Sequence, residues 1–92
     1  MELIKGDNRF YKEDADGKLI AEVTYKPVDE ETVEADGVFI DESLRGQGMA
    51  EQLVDYLVEV MQTEEKKIIP VCPYVVALFK RKKEKYANII KE

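Results

Sequence analysis

The sequence contains no histidine and no tryptophan, and its single cysteine is Cys72. Without histidine, neither a Ser-His-Asp triad nor a Cys-His pair can form, and a histidine-based metal site is excluded. One cysteine can make neither an internal disulfide nor a thiolate zinc site, and the many carboxylates lack the spacing of an EF-hand. We therefore expect no bound metal, and a lone thiol favours a reducing cytoplasm.

Long hydrophobic runs are also missing. The longest stretch without a charged residue is 68–79, twelve residues with two prolines, which is too short to cross a bilayer. The chain opens without the basic, apolar and small-residue zones of a signal peptide. A length of 92 residues, 45% of them apolar and 37% charged, predicts one soluble globular domain, 1–92, without a membrane partner.

Positive charge is scarce, since the net charge is −6, and this argues against non-specific binding to nucleic acid. The distribution is uneven, because residues 80–92 contain six basic and two acidic side chains. We interpret the basic cluster of residues 80–83, Lys-Arg-Lys-Lys, as a solvated helix face. A docking surface for an anionic group is the alternative.

Alternating apolar residues predict three strands in the first half of the chain. The first has residues 9–13 at its core and is followed by an Asp-Gly turn. The second covers 18–25 and should end before Pro27, and the third runs from about 32 to 40.

The third strand has two expected faces. Four residues should share one of them: Val33, Ala35, Gly37 and Phe39. The last half of the strand is apolar on both faces, so both sides should be covered there. Asp36-Gly37 is also consistent with a bulge or a kink.

The second half of the chain has the apolar spacing of helices. A helix is predicted over 48–63. Residues 67–71 form a short buried strand, which Pro70 restricts to an edge or interrupted position. Pro73 suits the first turn of a second helix, with Cys72 near its N-cap. Three N-terminal strands, a helix, a strand and a helix predict an α+β fold with a mostly antiparallel sheet.

The segment that joins the third strand to the first helix is residues 44–50, Leu-Arg-Gly-Gln-Gly-Met-Ala. Gly46 and Gly48 lack the Cβ that would block close approach of a ligand. The helix start leaves N–H groups unpaired and carries partial positive charge, and the Arg45 guanidinium can bind the same anion. These features favour a phosphate-binding loop, and a turn that only caps the helix is the alternative.

The spacing of this loop excludes two common phosphate motifs. A P-loop needs a lysine after its second glycine, and the dinucleotide fingerprint needs a third glycine. The loop matches Arg/Gln-x-x-Gly-x-Gly/Ala, with Arg45, Gly48 and Ala50 in the defining positions. In this it resembles the pyrophosphate loop of the GCN5-related N-acetyltransferases (GNAT).

A second motif extends the resemblance to nearly the whole chain. Residues 70–75, Pro-Val-Cys-Pro-Tyr-Val, are similar to the Pro-x-Cys-Pro/x-Tyr/Phe-Val segment of the very small, YjdJ-like members of that family. The order of the two motifs along the chain is also the same. The resemblance implies a minimal GNAT fold.

The resemblance also implies acetyl-CoA as the cofactor. Backbone N–H groups of the loop would bind the pyrophosphate, and the pantetheine arm would lie in a gap beside the end of the third strand. An N–H group of Phe39 or Ile40 would polarise the thioester carbonyl. The implied cofactor-binding residues are Phe39, Ile40, Arg45, Gly46, Gln47, Gly48, Met49 and Ala50.

Cys72 and Tyr74 are the candidate catalytic residues. A helix N-terminus favours the thiolate, so Cys72 could carry the acetyl group, although a small buried apolar residue is an equal alternative. Tyr74, and less strongly Tyr86, could donate a proton to the leaving thiolate, as tyrosines do in larger relatives.

The general base is open, because the small relatives often carry His-Thr where this chain has Gly37 and Val38. A water chain could replace the histidine. Four carboxylates near the end of the third strand are the other candidates: Glu34, Asp36, Asp41 and Glu42.

The resulting prediction is a cytoplasmic acetyl-CoA-dependent N-acetyltransferase that acts on a primary amine of an unknown acceptor. A CoA- or acyl-CoA-binding module with little or no catalysis is the alternative, and an interaction domain that retains only the fold is a third possibility. The acceptor and acetyl-CoA are the expected partners. An unpaired strand edge permits a monomer or a weak homodimer.

Overall fold

A computed structural model of the chain describes residues 2–91, and within them it has one five-stranded sheet and three helices. The strands lie in chain order, antiparallel except for β4 and β5, which are parallel. They are β1 (Ile4–Gly6), β2 (Arg9–Glu13), β3 (Leu19–Asp29), β4 (Thr32–Ile40) and β5 (Lys67–Pro70). The helices are α1 (Met49–Thr63), α2 (Pro73–Arg81) and α3 (Lys83–Tyr86). The predicted mostly antiparallel α+β fold is confirmed.

The prediction that Pro27 ends the second strand is wrong, because β3 continues to Asp29. Pro27 pairs with Val33 of β4, and a register shift follows it. On its other side β3 pairs with β2 only as far as Thr24. A proline is tolerated here because it lies at the margin of the sheet next to an irregularity.

β4 contains a bulge, which was one of the two irregularities that the sequence suggested at Asp36-Gly37. Gly37 pairs with Thr24 of β3, whereas Ala35 pairs with the next residue, Tyr25. Asp36 is therefore the extra residue between two pairs, and its carboxylate accepts a hydrogen bond of 2.6 Å from the Thr24 hydroxyl. An extra residue in one strand shifts the alternation of all the side chains that follow it.

The shift corrects the expected faces of the strand. Before the bulge, Val33 and Ala35 share one face of the strand, as predicted, and both are buried. After it, Val38 and Ile40 pack against the core, and Phe39 is 41% exposed on the opposite face. That opposite face therefore stays open at Phe39, contrary to the expectation that both sides would be covered.

All three helices contribute to one core on a single face of the sheet. α1 supplies five buried residues, Leu53, Val54, Leu57, Val58 and Met61. Val75, Leu78 and Phe79 of α2 and Tyr86 of α3 complete it. This packing leaves β4 and the start of α1 together at one end of the molecule.

Among the strands and α-helices, two elements were not predicted from the sequence. β1 has only three residues, and α3 is a single turn separated from α2 by Lys82. Both are shorter than the windows over which apolar periodicity is informative. No helix within residues 2–91 is long and apolar enough to cross a membrane.

Candidate functional site

The candidate site begins where β4 and β5 part. The two strands pair from Thr32 with Lys67 to Ala35 with Pro70. The Ala35 carbonyl then accepts hydrogen bonds from the N–H groups of both Val71 (3.0 Å) and Cys72 (2.9 Å). The chain after β5 turns away at this point, so within the described residues no strand pairs with this side of β4 after Ala35.

The hydrogen-bond pattern shows which amides of β4 face that gap. The Asp41 N–H donates to the Ile20 carbonyl of the β3 side at 2.9 Å. N–H directions alternate along a strand, so the Phe39 N–H also faces β3. The N–H groups of Val38 and Ile40 therefore face the gap. Of the two amides proposed to hold a carbonyl oxygen, only that of Ile40 has the required direction.

A short 3₁₀ helix, Glu42–Leu44, leads from β4 into the glycine loop. Asp41 caps it by accepting hydrogen bonds from the N–H and the hydroxyl of Ser43, at 3.1 and 2.6 Å. These bonds, and then the ion pair with Lys18, lower the pKa of the Asp41 carboxyl. Asp41 is therefore held in its ionised form as a cap, which makes it a poor choice as a general base.

The two glycines of the loop need their lack of a side chain for conformational reasons. Gly46 has φ of +84° and Gly48 has φ of +72°, a region that other residues rarely adopt. A Cβ atom at either position would meet nothing within 4 Å. Open space therefore lies over both glycines, as close approach of a ligand to the backbone requires.

The start of α1 presents unpaired N–H groups beside this space. Gly48 is the N-cap and has no side chain to cap the helix. The first helical hydrogen bond runs from the Gln52 N–H to the Gly48 carbonyl. The N–H groups of Met49, Ala50 and Glu51 therefore lack helical partners, and together with the helix dipole they favour an anion.

Arg45 connects the loop to the gap. Its Nε donates to the Ile40 carbonyl at 3.3 Å, which fixes the exposed side chain next to the end of β4. The guanidinium is therefore placed between the helix start and the amides of β4. It adds a permanent positive charge to the same region.

One cavity of about 310 Å³ unites these features. It is lined by Val38, Ile40, Leu44, Arg45, Gly46, Gly48, Met49, Ala50 and Tyr74. Seven of the ten predicted site residues are thus together around one space. Val38 and Leu44 were not predicted, and Val38 could have been found by counting a bulge at Asp36 into the alternation of β4.

Three predicted site residues are not part of this lining. Phe39 points to the opposite face of the sheet, and Gln47 is exposed in the loop. Cys72 is the N-cap of α2 and is half-buried against the core, with its carbonyl accepting a hydrogen bond from Val76. Tyr86, the weaker tyrosine candidate, is buried and donates its hydroxyl to Asp55 at 2.6 Å.

The sheet is mixed, and its two parallel strands separate beside a glycine loop and the start of a helix. This combination of fold and site defines a class of protein. A family model described as GCN5-related N-acetyl-transferase matches residues 9–89. The chain belongs to this family, which confirms the resemblance drawn from the two motifs. A comparison with curated proteins found no match.

Solved structures of similar proteins agree with this assignment. A GCN5-like protein of Staphylococcus aureus, solved by NMR, is 28% identical and superposes with a TM-score of 0.81 over 98% of this chain and 87% of its own. A GNAT family N-acetyltransferase of Escherichia coli, solved in complex with CoA, is 25% identical (TM-score 0.65; 79% of this chain, 43% of its own).

A GNAT family acetyltransferase of Elizabethkingia anophelis with acetyl-CoA bound shares the fold at 15% identity (TM-score 0.62; 84% of this chain, 51% of its own). The chain spans about half the length of these two larger relatives.

Proposed function

We propose that this protein transfers the acetyl group of acetyl-CoA to a primary amine. The observation that carries the proposal is the single cavity in which the glycine loop, the start of α1 and the unpaired side of β4 meet. One end of this space suits phosphates, and the other presents strand amides between apolar walls. Relatives of the same fold have been solved with CoA or acetyl-CoA bound.

The residues present fit such a cofactor. The free N–H groups at the start of α1, with Arg45, would hold the pyrophosphate, and nothing lies over Gly46 and Gly48 to prevent it. The side chains of Val38 and Ile40 offer an apolar wall for the pantetheine arm. When bound, acetyl-CoA supplies an activated acyl group.

The chain itself would supply positioning and hydrogen bonds. The Ile40 N–H, and with it that of Val38, faces the gap and would stabilise negative charge on a carbonyl oxygen held there. Tyr74 lines the same cavity, so its hydroxyl is the group that would donate a proton to a departing thiolate.

The acceptor amine must lose a proton to a group that is not histidine. Of the four carboxylates considered, Asp41 is occupied as a cap and Asp36 accepts the Thr24 hydroxyl. Glu34 and Glu42 make no side-chain hydrogen bond within the described residues and remain candidates, as does a water chain. The net charge of −6 favours a cationic acceptor.

The loop is tested with a matched pair of substitutions. Gly48→Glu would place a carboxylate where a phosphate should bind, whereas Gly17→Glu makes the same change at a distant turn with the same type of backbone (φ +83°) and equal space. Calorimetric titration with CoA should show lost binding for Gly48→Glu and wild-type binding for Gly17→Glu. Equal binding by both variants would contradict a phosphate site at this loop.

Two further measurements separate transferase from binding module and test the thiol. Release of free CoA from acetyl-CoA should depend on an added amine, and a panel of polyamines and lysine peptides would identify the acceptor class. Binding without amine-dependent release would support the module instead.

Cys72→Ala should bind CoA normally, and intact-mass analysis of the wild type would show whether an acetyl group resides on Cys72.

A further inference from the structure

The first turn of α1 carries a cluster of ion pairs next to the candidate site. Glu51 Oε2 accepts hydrogen bonds from Lys82 Nζ at 2.7 Å and from Lys85 Nζ at 2.9 Å. Arg81 Nη2 lies 4.0 Å from the other carboxylate oxygen. The side chain of Glu51 is only 23% exposed.

The cluster extends to the next turn of the helix. Lys85 Nζ also lies 2.9 Å from Asp55 Oδ2, and the Tyr86 hydroxyl occupies the other oxygen of Asp55. Three cations therefore face two carboxylates. The cluster as a whole is electropositive, although the complete chain is acidic.

Glu51 lies in the same helical turn as two residues that line the space in which phosphates would bind. It is the third residue of the helix after Gly48, a rise of about 4.5 Å. The two residues between them, Met49 and Ala50, line the cavity. An uncompensated carboxylate at this point would repel a phosphate held by the same helical turn.

We propose that this cluster sets the affinity of the site for CoA: Arg81, Lys82 and Lys85 attract its phosphates, and Glu51, which holds these cations in place, weakens the attraction. The proposal rests on the proposed function. It assigns a role to Arg81 and Lys82 of the predicted basic cluster, which are paired with Glu51 rather than only solvated. Lys80 differs, because it lines a separate groove with Pro70 and Ile90.

If the cluster has a purely structural role, Glu51→Gln should change the affinity for CoA in a different way. If the ion pairs only tie α2 and α3 to α1, removing the charge of Glu51 would loosen the site and leave CoA binding unchanged or weaker. If the cluster sets affinity, Glu51→Gln removes a negative charge, keeps a hydrogen-bond acceptor of the same size, and strengthens binding. The sign of the change therefore distinguishes the two roles.

The experiment is calorimetric titration of the full chain with CoA at low salt. Glu51→Gln should bind about 3- to 10-fold more tightly than the wild type, and Lys82→Gln about 3- to 10-fold more weakly. Both differences should shrink at 0.5 M salt, since ions screen charges over about 4 Å there. Glu59→Gln, on an exposed turn of the same helix, and Lys80→Gln are the matched controls and should bind as the wild type does. Thermal unfolding of each variant confirms that it is folded.

The outcomes distinguish a failure of this proposal from a failure of the proposed function. If the wild type binds CoA and Glu51→Gln binds equally or less tightly at low salt, the electrostatic role is overturned and the proposed function stands. If Lys82→Gln binds as tightly as the wild type, the cations do not act on the ligand. If the wild type does not bind CoA, both proposals fail.

Discussion

At the scale of single residues, Gly37 has little room for a side chain. A Cβ atom built on Gly37 would lie 2.6 Å from the Thr24 hydroxyl oxygen. That hydroxyl is in turn bonded to Asp36, the bulged residue. A side chain at position 37 therefore competes with the hydrogen bond that accompanies the bulge.

We expect Gly37→Ala to lower the free energy of unfolding by about 1–3 kcal/mol, because Thr24 must move and release Asp36. The measurement is urea unfolding in a double-mutant cycle with Thr24→Ala. In the Thr24→Ala background the crowding atom is gone, so Gly37→Ala should cost much less. An equal loss of unfolding free energy in both backgrounds would show that the contact with Thr24 does not cause the destabilisation.

Tyr74 is the only predicted catalytic residue that lines the cavity. Tyr74→Phe should lower kcat by about 10²-fold while the Kd for CoA stays unchanged, because only the proton donor is lost. Steady-state kinetics with the amine found in the panel provides the measurement. Tyr11→Phe, on the opposite face of the sheet, is the control and should behave as the wild type does. An unchanged kcat for Tyr74→Phe would remove it from the mechanism.

The residues of the site show what sequence could and could not predict. The glycine loop was recognisable because its residue types carry the chemistry directly, and Arg45 to Ala50 needed no tertiary information. Phe39 was misplaced because a single extra residue, Asp36, reverses the alternation of everything after it. Whether Cys72 faces the cavity depends on how α2 packs, which no local pattern contains.

At the scale of elements, long and strongly periodic segments were predictable. The bounds of β4 agree with the prediction, and α1 begins only one residue later than expected. The parting of β4 and β5 was implied only by resemblance, because it depends on the Ala35 carbonyl accepting from both Val71 and Cys72. Such a geometric event has no signature in composition.

The hydrogen bond from Tyr86 to Asp55 is one of the contacts that attach α3 to α1. Burial, and then this bond, raises the pKa of the Tyr86 phenol, which therefore stays protonated and a donor. Tyr86→Phe should cost about 1–2 kcal/mol in urea unfolding, because Asp55 loses a partner. Tyr56→Phe is the control, since the Tyr56 hydroxyl makes no hydrogen bond within the described residues. Equal stability of both variants would contradict this attachment.

The ion pairs between α1 and α2–α3 predict a pH dependence. Hydrogen bonds from Lys82 and then Lys85 lower the pKa of Glu51 to about 2 from its usual 4.5. Because the folded-state pKa is depressed, the stabilisation is complete above about pH 4.5 and is lost as the pH falls towards 2. The Tm difference between wild type and Glu51→Gln should therefore shrink over this range. A difference that stays constant from pH 7 to 2.5 would contradict the coupling.

At the scale of the whole molecule, residues 2–91 cover the sheet on one face only. The helices form the core on that face, while Phe39 (41%) and Ile4 (47%) stay exposed on the other. The chain spans about half the length of two larger relatives of the same fold. Every residue that lines the cavity lies between 38 and 74.

The central claim is that the glycine loop and the open side of β4 form one CoA site. The most direct test is a titration of ¹⁵N-labelled protein with CoA, followed through backbone amide shifts. We expect the largest shifts at the amides of Gly46–Ala50 and at those of Val38 and Ile40, with Gly17 unmoved as an internal control. Shifts confined to other residues, or none at millimolar CoA, would contradict the claim.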